Sequence, residues 1–192
     1  MKRGEGSKVI LFATQNMHKV EELRAVLGLC GYSVEPVDIL KVEIQSSSLE
    51  TIAAYAAIIA YNHLGKPVVV EDAGLFIDAL KGFPGPYSSY VHKTIGVQGI
   101  LRLLEGVSER TAYFKSVIAY AGPWGVELFT GIVRGRIAEE ARGNQGFGFD
   151  PIFVPEGSSK TFAEMSIEEK NLYSHRARAA SKLCEWLTER AV

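Results

Sequence analysis

Residues 8–37 read KVILFATQNMHKVEELRAVLGLCGYSVEPV, and the changes of pattern within this stretch decide the fold class. Lys8 to Ala13 is a continuous apolar run, the mark of a strand buried on both faces. Apolar residues then recur at helical spacing, with Val20, Leu23, Val26, Leu27 and Cys30 on one stripe, and Gly31 is a natural stop. Ser33 to Val37 alternates as a second strand does. Strand, helix and strand in succession predict an α/β fold.

The same reading extends outward. Leu49 to Leu64 is rich in Ala and Ile and predicts a largely buried helix, opened by the polar cluster Ser46 to Ser48 and ended by Gly65 and Pro67. Val68 to Val70 predicts a buried strand that closes at Glu71 to Gly74, with a second short strand over Leu75 to Ala79. Gly82 to Pro86 (GFPGP) is a rigid loop, followed by helical segments around Tyr87 to Thr94 and Val97 to Glu105. Thr111 to Tyr120 and Val126 to Ile137 predict a long hairpin with a loose turn, able to form its own lobe or edge. Gly143 to Phe149 is a Gly-rich loop. Ser166 with Glu169 makes a capping-box pattern, and the last helix carries Ala177, Ala180, Leu183, Cys184 and Leu187 on one stripe. No repeat or linker divides the chain, so residues 1–192 are expected to form one domain, with Met1 to Ser7 flexible.

Composition narrows the class. The 192 residues are 47% apolar and 22% charged, ordinary for a soluble, well-packed domain. A net charge of −1 supplies no global field toward nucleic acid or an anionic membrane, so neither partner is expected. The strongly apolar stretch Ile52 to Tyr61 is too short to span a bilayer, and the N-terminus lacks a signal-peptide pattern. Cys30 and Cys184 are expected to be separate, small buried hydrophobes in a reducing cytoplasm.

Five segments carry candidate chemistry. Thr14-Gln15-Asn16-Met17-His18-Lys19 joins the first strand to the first helix. A helix start offers unpaired N–H groups and a positive dipole end, and Lys19 adds a full charge, which together suit a polyphosphate. The alternative is that Asn16 merely caps the helix and Lys19 is solvated. Glu71-Asp72 follows a buried strand, where ligands bind in α/β folds, and an acidic pair suits a hard cation. Strand alternation sends one of the two away from any site; a polar strand end is the alternative. Glu43, within Lys41 to Gln45, could complete a magnesium site with Asp72.

In Gly146-Phe147-Gly148-Phe149-Asp150-Pro151, glycines allow close backbone approach, Phe147 and Phe149 can stack on a flat base, and Asp150 can accept from a base edge. The alternative is an Asp-Pro turn with two core aromatics. Lys170, with Ser174-His175-Arg176, places cations at a helix start, where they oppose the dipole. His175 and Arg176 can donate to a carbonyl-bearing base or to phosphate; chemistry alone does not separate His175 from His63 or His92.

Taken together, ATQNMHK (Ala13 to Lys19), EIQ (Glu43 to Gln45), VEDAGL (Val70 to Leu75), GFPGPYSSY (Gly82 to Tyr90), GFGFDP (Gly146 to Pro151), EEKN (Glu168 to Asn171) and SHR (Ser174 to Arg176) resemble, in order, the inosine triphosphate pyrophosphatase family, also called XTP/dITP diphosphatases. The resemblance implies an elongated mixed sheet with flanking helices, in two lobes around a central active-site cleft. It implies Mg²⁺-dependent hydrolysis of ITP, dITP and XTP to monophosphate and pyrophosphate, in the cytoplasm, by a homodimer. Carried over by position, Thr14, Gln15, Asn16, Met17, His18 and Lys19 hold the triphosphate with Ala73 beside them. Glu43 and Asp72 bind the metal, and Asp72 is also the proton acceptor. Phe147, Gly148, Phe149, Asp150, Lys170, His175 and Arg176 bind the nucleotide.

Two positions depart from the common pattern. Ala73 stands where Ser is frequent, removing a hydroxyl donor, and His18 stands where Gly is common. Two rival functions are a nucleotide sensor without hydrolysis and a pyrophosphatase for pyrimidine or modified nucleotides.

Overall fold

The computed structural model describes residues 8–39, 42 and 44–190. The opening apolar run is strand β1 (Lys8–Ala13), followed by helix α1 (Met17–Leu27), a 3₁₀ turn at Gly28–Cys30 and strand β2 (Tyr32–Val37). Helix α2 (Leu49–Leu64) is bounded as its caps predict: Ser48 accepts from the Thr51 N–H, and Gly65 adopts φ +64°, a conformation costly for a residue with a Cβ.

Strand β3 (Val68–Ile77) runs unbroken through the Glu71–Gly74 segment, where the pattern suggested an end and a second strand. The acidic pair interrupts the apolar run but not the pairing, because antiparallel partners hold the backbone from Val68 to Ile77. After β4 (Pro84–Gly85) come α3 (Ser88–Thr94) and α4 (Gly96–Leu103). Strands β5 (Thr111–Gly122) and β6 (Gly125–Ile137) pair up to Gly122↔Gly125, so their turn is tight rather than loose. The hairpin is no separate lobe, since β5 lies between β3 and β6 inside the sheet. Strand β7 (Phe153–Pro155) follows. Ser166 caps a short helix, α5 (Ile167–Asn171), and Ser174 separately caps α6 (His175–Glu189). Lys170 therefore closes one helix while His175 and Arg176 open another.

The seven strands form one mixed sheet, ordered β2-β1-β3-β5-β6-β7 with β4 beside β3. β1 pairs parallel with β2 and β3; the other pairings are antiparallel. Two partners share one edge of β3: β1 meets it at Val69 and β4 at Leu75 and Phe76. Between them the edge of residues 71–73 pairs with no strand among the described residues. Lys19, in the first turn of α1, reaches this gap.

Alternation along β3 sorts the interior. Val69 packs with Phe12, Leu23, Ile118 and Leu183 beneath α1 and α6. Val68 and Val70 pack with Ala53, Ala57 and Val117 beneath α2 on the opposite face. Farther along, Leu75 and Ile77 join Ile100, Phe114, Phe153 and Phe162 in a second core. On the α1/α6 face, a group of buried charges lies where one core gives way to the next.

The cysteines correct the expectation of two separate thiols. Cys30 and Cys184 form a disulfide, with Cα atoms 6.3 Å apart across 154 residues of sequence. Their separation along the chain carried no information about it. The packing of α1 against α6 brings them together.

Candidate active site

The site begins at α1. Thr14 accepts from the Asn16 N–H, and the Asn16 carboxamide accepts from the N–H groups of His18 and Lys19 at 3.1 and 3.4 Å. Asn16 is thus the helix cap that its position allowed. Gln15 donates to Asp38 at 2.8 Å, and Met17 is half-exposed. Lys19 is not solvated: it turns back to the gap in β3, where its ammonium lies 2.7 Å from the Glu71 carboxylate and 3.4 Å from the Glu71 carbonyl oxygen.

Glu71 and Asp72 point to opposite faces, as strand geometry requires. Glu71 is the buried one, at 2% exposure. Its carboxylate accepts from Arg176 at 3.0 Å and Ser116 at 2.6 Å besides pairing with Lys19. Burial alone would raise its pKa, but the charges of Arg176 and Lys19 hold it well below the carboxylate range. Asp72 is half-buried on the face shared with α2. Ala73 lies directly across the ladder from Ser116. The hydroxyl missing at position 73 is therefore present on the neighbouring strand, where it serves Glu71.

From Glu71 the charges continue inward. Arg176 donates to Glu22 at 2.5 Å, and Lys170 donates to Glu22 at 2.7 Å and to Asp150 at 2.6 Å. Asp150 also accepts from the Phe147 N–H at 2.9 Å. The result is an alternating line, Lys19–Glu71–Arg176–Glu22–Lys170–Asp150, that joins the loop after β1 to the Gly-rich loop. Burial opposes ionisation of Glu22, yet Arg176 and Lys170 lower its pKa to about 2. Burial raises Asp150 and Glu22 adds to the rise, with Lys170 opposing. Arg176 loses hydration but is raised by Glu71 and Glu22. Burial, followed by Arg176, drives His175 well below its usual value, so this ring is neutral.

The aromatic candidates divide. Phe147 is half-buried, with Lys170 Nζ 5.2 Å and Arg176 Cζ 5.4 Å from its ring centre. Phe149 is a core residue, edge-on to His92 at 5.3 Å. His175 stacks on Phe114 at 4.7 Å, and its Nδ1 is buried with no hydrogen-bond partner among the described residues. Gly148 has φ +64°. At Gly146 a Cβ would collide with the Asp150 carboxylate, so glycine there keeps the loop closed over that acid. A cavity beside these groups is lined by His18, Glu22, Gly146, Phe162 and Lys170.

Sequence reasoning missed Glu22, Ser116 and Phe162. Glu22 had one legible signal: it lies three residues after Lys19, beside the apolar stripe of α1. Ser116 and Phe162 had none, because their role depends on strands and loops far away in sequence. Glu43, the second expected metal ligand, lies outside the described residues. Among those described, no cluster of three metal-ligating side chains occurs. Of the acidic pair, Glu71 is engaged by Lys19, Arg176 and the Ser116 hydroxyl.

Fold and site together define a class: α/β proteins with a mixed sheet and a charge-lined cleft, where helix N-termini, a lysine and a carboxylate meet at a gap in one strand edge. Within that class the chain belongs to the Ham1 family, whose profile matches residues 10–186. It is 63% identical over 183 residues to the dITP/XTP pyrophosphatase of Hyperthermus butylicus, covering 95% of this chain and 96% of the relative. It is 52% identical over 182 residues to that of Thermococcus kodakarensis, covering 94% and 97%. Among solved structures, the Ham1 protein of Staphylococcus aureus superposes with a TM-score of 0.82 at 31% identity, covering 95% of this chain and all of that one. The Coxiella burnetii HAM1 protein gives 0.81 at 33%, covering 95% and 99%.

Proposed function

We propose that this chain hydrolyses deaminated purine nucleoside triphosphates, dITP, ITP and XTP, to the monophosphate and pyrophosphate. The observation that carries this reading is the position of Lys19, which brings a cation from the start of α1 to the open edge of β3, where it meets the carboxylate and carbonyl oxygen of Glu71, the residue before Asp72. Relatives of the same length carry the name dITP/XTP pyrophosphatase, which agrees with it.

In the proposed reaction a water oxygen bonds to the α-phosphorus and the bridging bond to the β-phosphate breaks. Asp72 takes the proton from the water. Lys19 faces the charge that moves onto the pyrophosphate. Thr14 to Met17 and Lys19 line the triphosphate path, the His18 ring being turned onto Phe147 instead, and α1 and α6 both point N-termini toward it. Asp72 with Glu43 would hold Mg²⁺, which when bound neutralises phosphate charge and orients the chain. At the other end of the charge line, Phe147 offers a face to the base, while Asp150, Lys170, His175 and Arg176 present a fixed polar set near it. Polar groups matched to a 6-oxo purine are left unpaired by a 6-amino one, which is how adenine nucleotides are rejected.

We further propose a cytoplasmic homodimer. Among the described residues no helix is long and apolar enough to cross a membrane. The disulfide removes cysteine usage as support for a reducing compartment, so the location rests on the substrate class. Phe83, Tyr87 and Tyr90 expose aromatic surface on the Gly82 to Tyr90 segment, which we propose as interface material.

The test is pyrophosphate release from dITP, XTP, dUTP, dTTP and ATP with Mg²⁺. The reading expects kcat/KM for dITP and XTP well above the others. Preference for dTTP or dUTP would overturn the substrate, and no release from any nucleotide would overturn the enzyme.

A further inference from the structure

His18 occupies a place that neither its helix nor its surroundings require. It is the second residue of α1, its N–H is held by the Asn16 cap, and its side chain is exposed. The imidazole lies flat against Phe147, with ring centres 5.4 Å apart and planes 11° from parallel. No hydrogen bond or ion pair holds that imidazole among the described residues. The contact bridges the phosphate-side loop and the Gly-rich loop over the cavity that both line.

Phe147 is otherwise firmly held. Its N–H donates to Asp150, and the cations near its ring are locked to Glu22 and Glu71. Of these three side chains against the ring, His18 alone is not in a buried ion pair among the described residues. A base sandwiched between the two rings would need about 7 Å, two stacking contacts of about 3.5 Å each. The observed spacing does not admit one. The imidazole also matches the five-membered ring of a purine in size and flatness.

We propose that His18 is a gate on the base site: without nucleotide it stacks on Phe147 in the place of the purine, and it must swing out before a base can bind. This rests on the reading that the base stacks on Phe147. The gate selects at the base end and not at the phosphate end. It competes with every ligand that carries a stacking ring and is indifferent to phosphate chains that carry none.

The experiment measures dIMP binding by calorimetry, KM for dITP, and competitive inhibition by tripolyphosphate, for wild type, His18→Ala, His18→Phe and Phe147→Ala. His18→Ala should tighten dIMP and lower KM by about two- to tenfold, the worth of one aromatic pair. KM relative to the tripolyphosphate inhibition constant should fall with it. His18→Phe, whose ring stacks without a polar edge in water, should shift both quantities the opposite way. Equal or weaker dIMP binding by His18→Ala, with His18→Phe no weaker than wild type, would overturn the gate. The reading beneath it fails differently: Phe147→Ala would then bind dIMP as well as wild type does.

Discussion

Removing the Glu71 carboxylate would leave the buried Arg176 guanidinium and the Lys19 ammonium with one counter-charge fewer. Glu71→Gln should therefore cost about 3–5 kcal/mol, the usual consequence of breaking a buried pair from one side. Thermal unfolding measures it, and an unchanged Tm would contradict the geometry. Asp72→Asn should do the reverse: the fold persists while turnover falls about 10²- to 10⁴-fold, the typical worth of a general base. Near-wild-type rates would remove Asp72 from the mechanism. Glu43→Gln should need more Mg²⁺ for half-maximal rate, and an identical metal titration would argue against Glu43 as a ligand. These outcomes would separate adjacent acids into a structural one and a chemical one, as expected when a strand turns successive side chains to opposite faces.

At the scale of elements, α1 and α6 form a parallel pair. Glu22 meets Arg176 and Cys30 meets Cys184, and each chain advances eight residues between its two contacts. One contact is ionic and lies at the site; the other is covalent and lies beyond it. Gly131 lets α6 approach, since a Cβ there would strike the backbone of His175 and Ala179. The helix that carries His175 and Arg176 is therefore positioned by a close backbone contact below and a disulfide behind. Replacing both cysteines by Ser should lower stability by about 2–5 kcal/mol, as removal of a native disulfide typically does. Scanning calorimetry of that variant, and of wild type with and without reductant, is the measurement. Equal midpoints in all samples would show that the bond contributes nothing.

For the whole molecule, the buried charge line couples folding to pH. His175 is held neutral, with a folded pKa well below 6.5. Its contribution to stability is complete above 6.5 and is lost as pH falls below that value. Glu22, at about 2 in the folded state against 4.5 unfolded, and Glu71, also depressed, contribute fully above 4.5. They lose that contribution as pH falls toward their folded values. Asp150 is raised and acts in the opposite sense, gaining stability on protonation, so it offsets part of the loss. Tm should decline from pH 7 to 5 and decline further below pH 4.5. A Tm that stays level from pH 8 to 4 would contradict a neutral buried His175.

How much of this was legible in the sequence follows from the range of each interaction. The caps at Asn16, Ser48 and Gly65, the apolar runs of β1 and β3, and the amphipathic stripe of α1 act within a few residues, so the sequence by itself determined most elements and the α/β class. Ordered motifs pointed to the site. The tertiary structure alone decided what depends on distant segments. It placed β5 inside the sheet, kept β3 continuous through its acids, and separated Glu71 from Asp72. It closed the disulfide, and it recruited Glu22 and Ser116 to partners up to 154 residues away. The physical reason is that a charge buried between two cores persists only beside an opposite charge. Where that partner lies is a property of the packed sheet and helices rather than of neighbours along the chain.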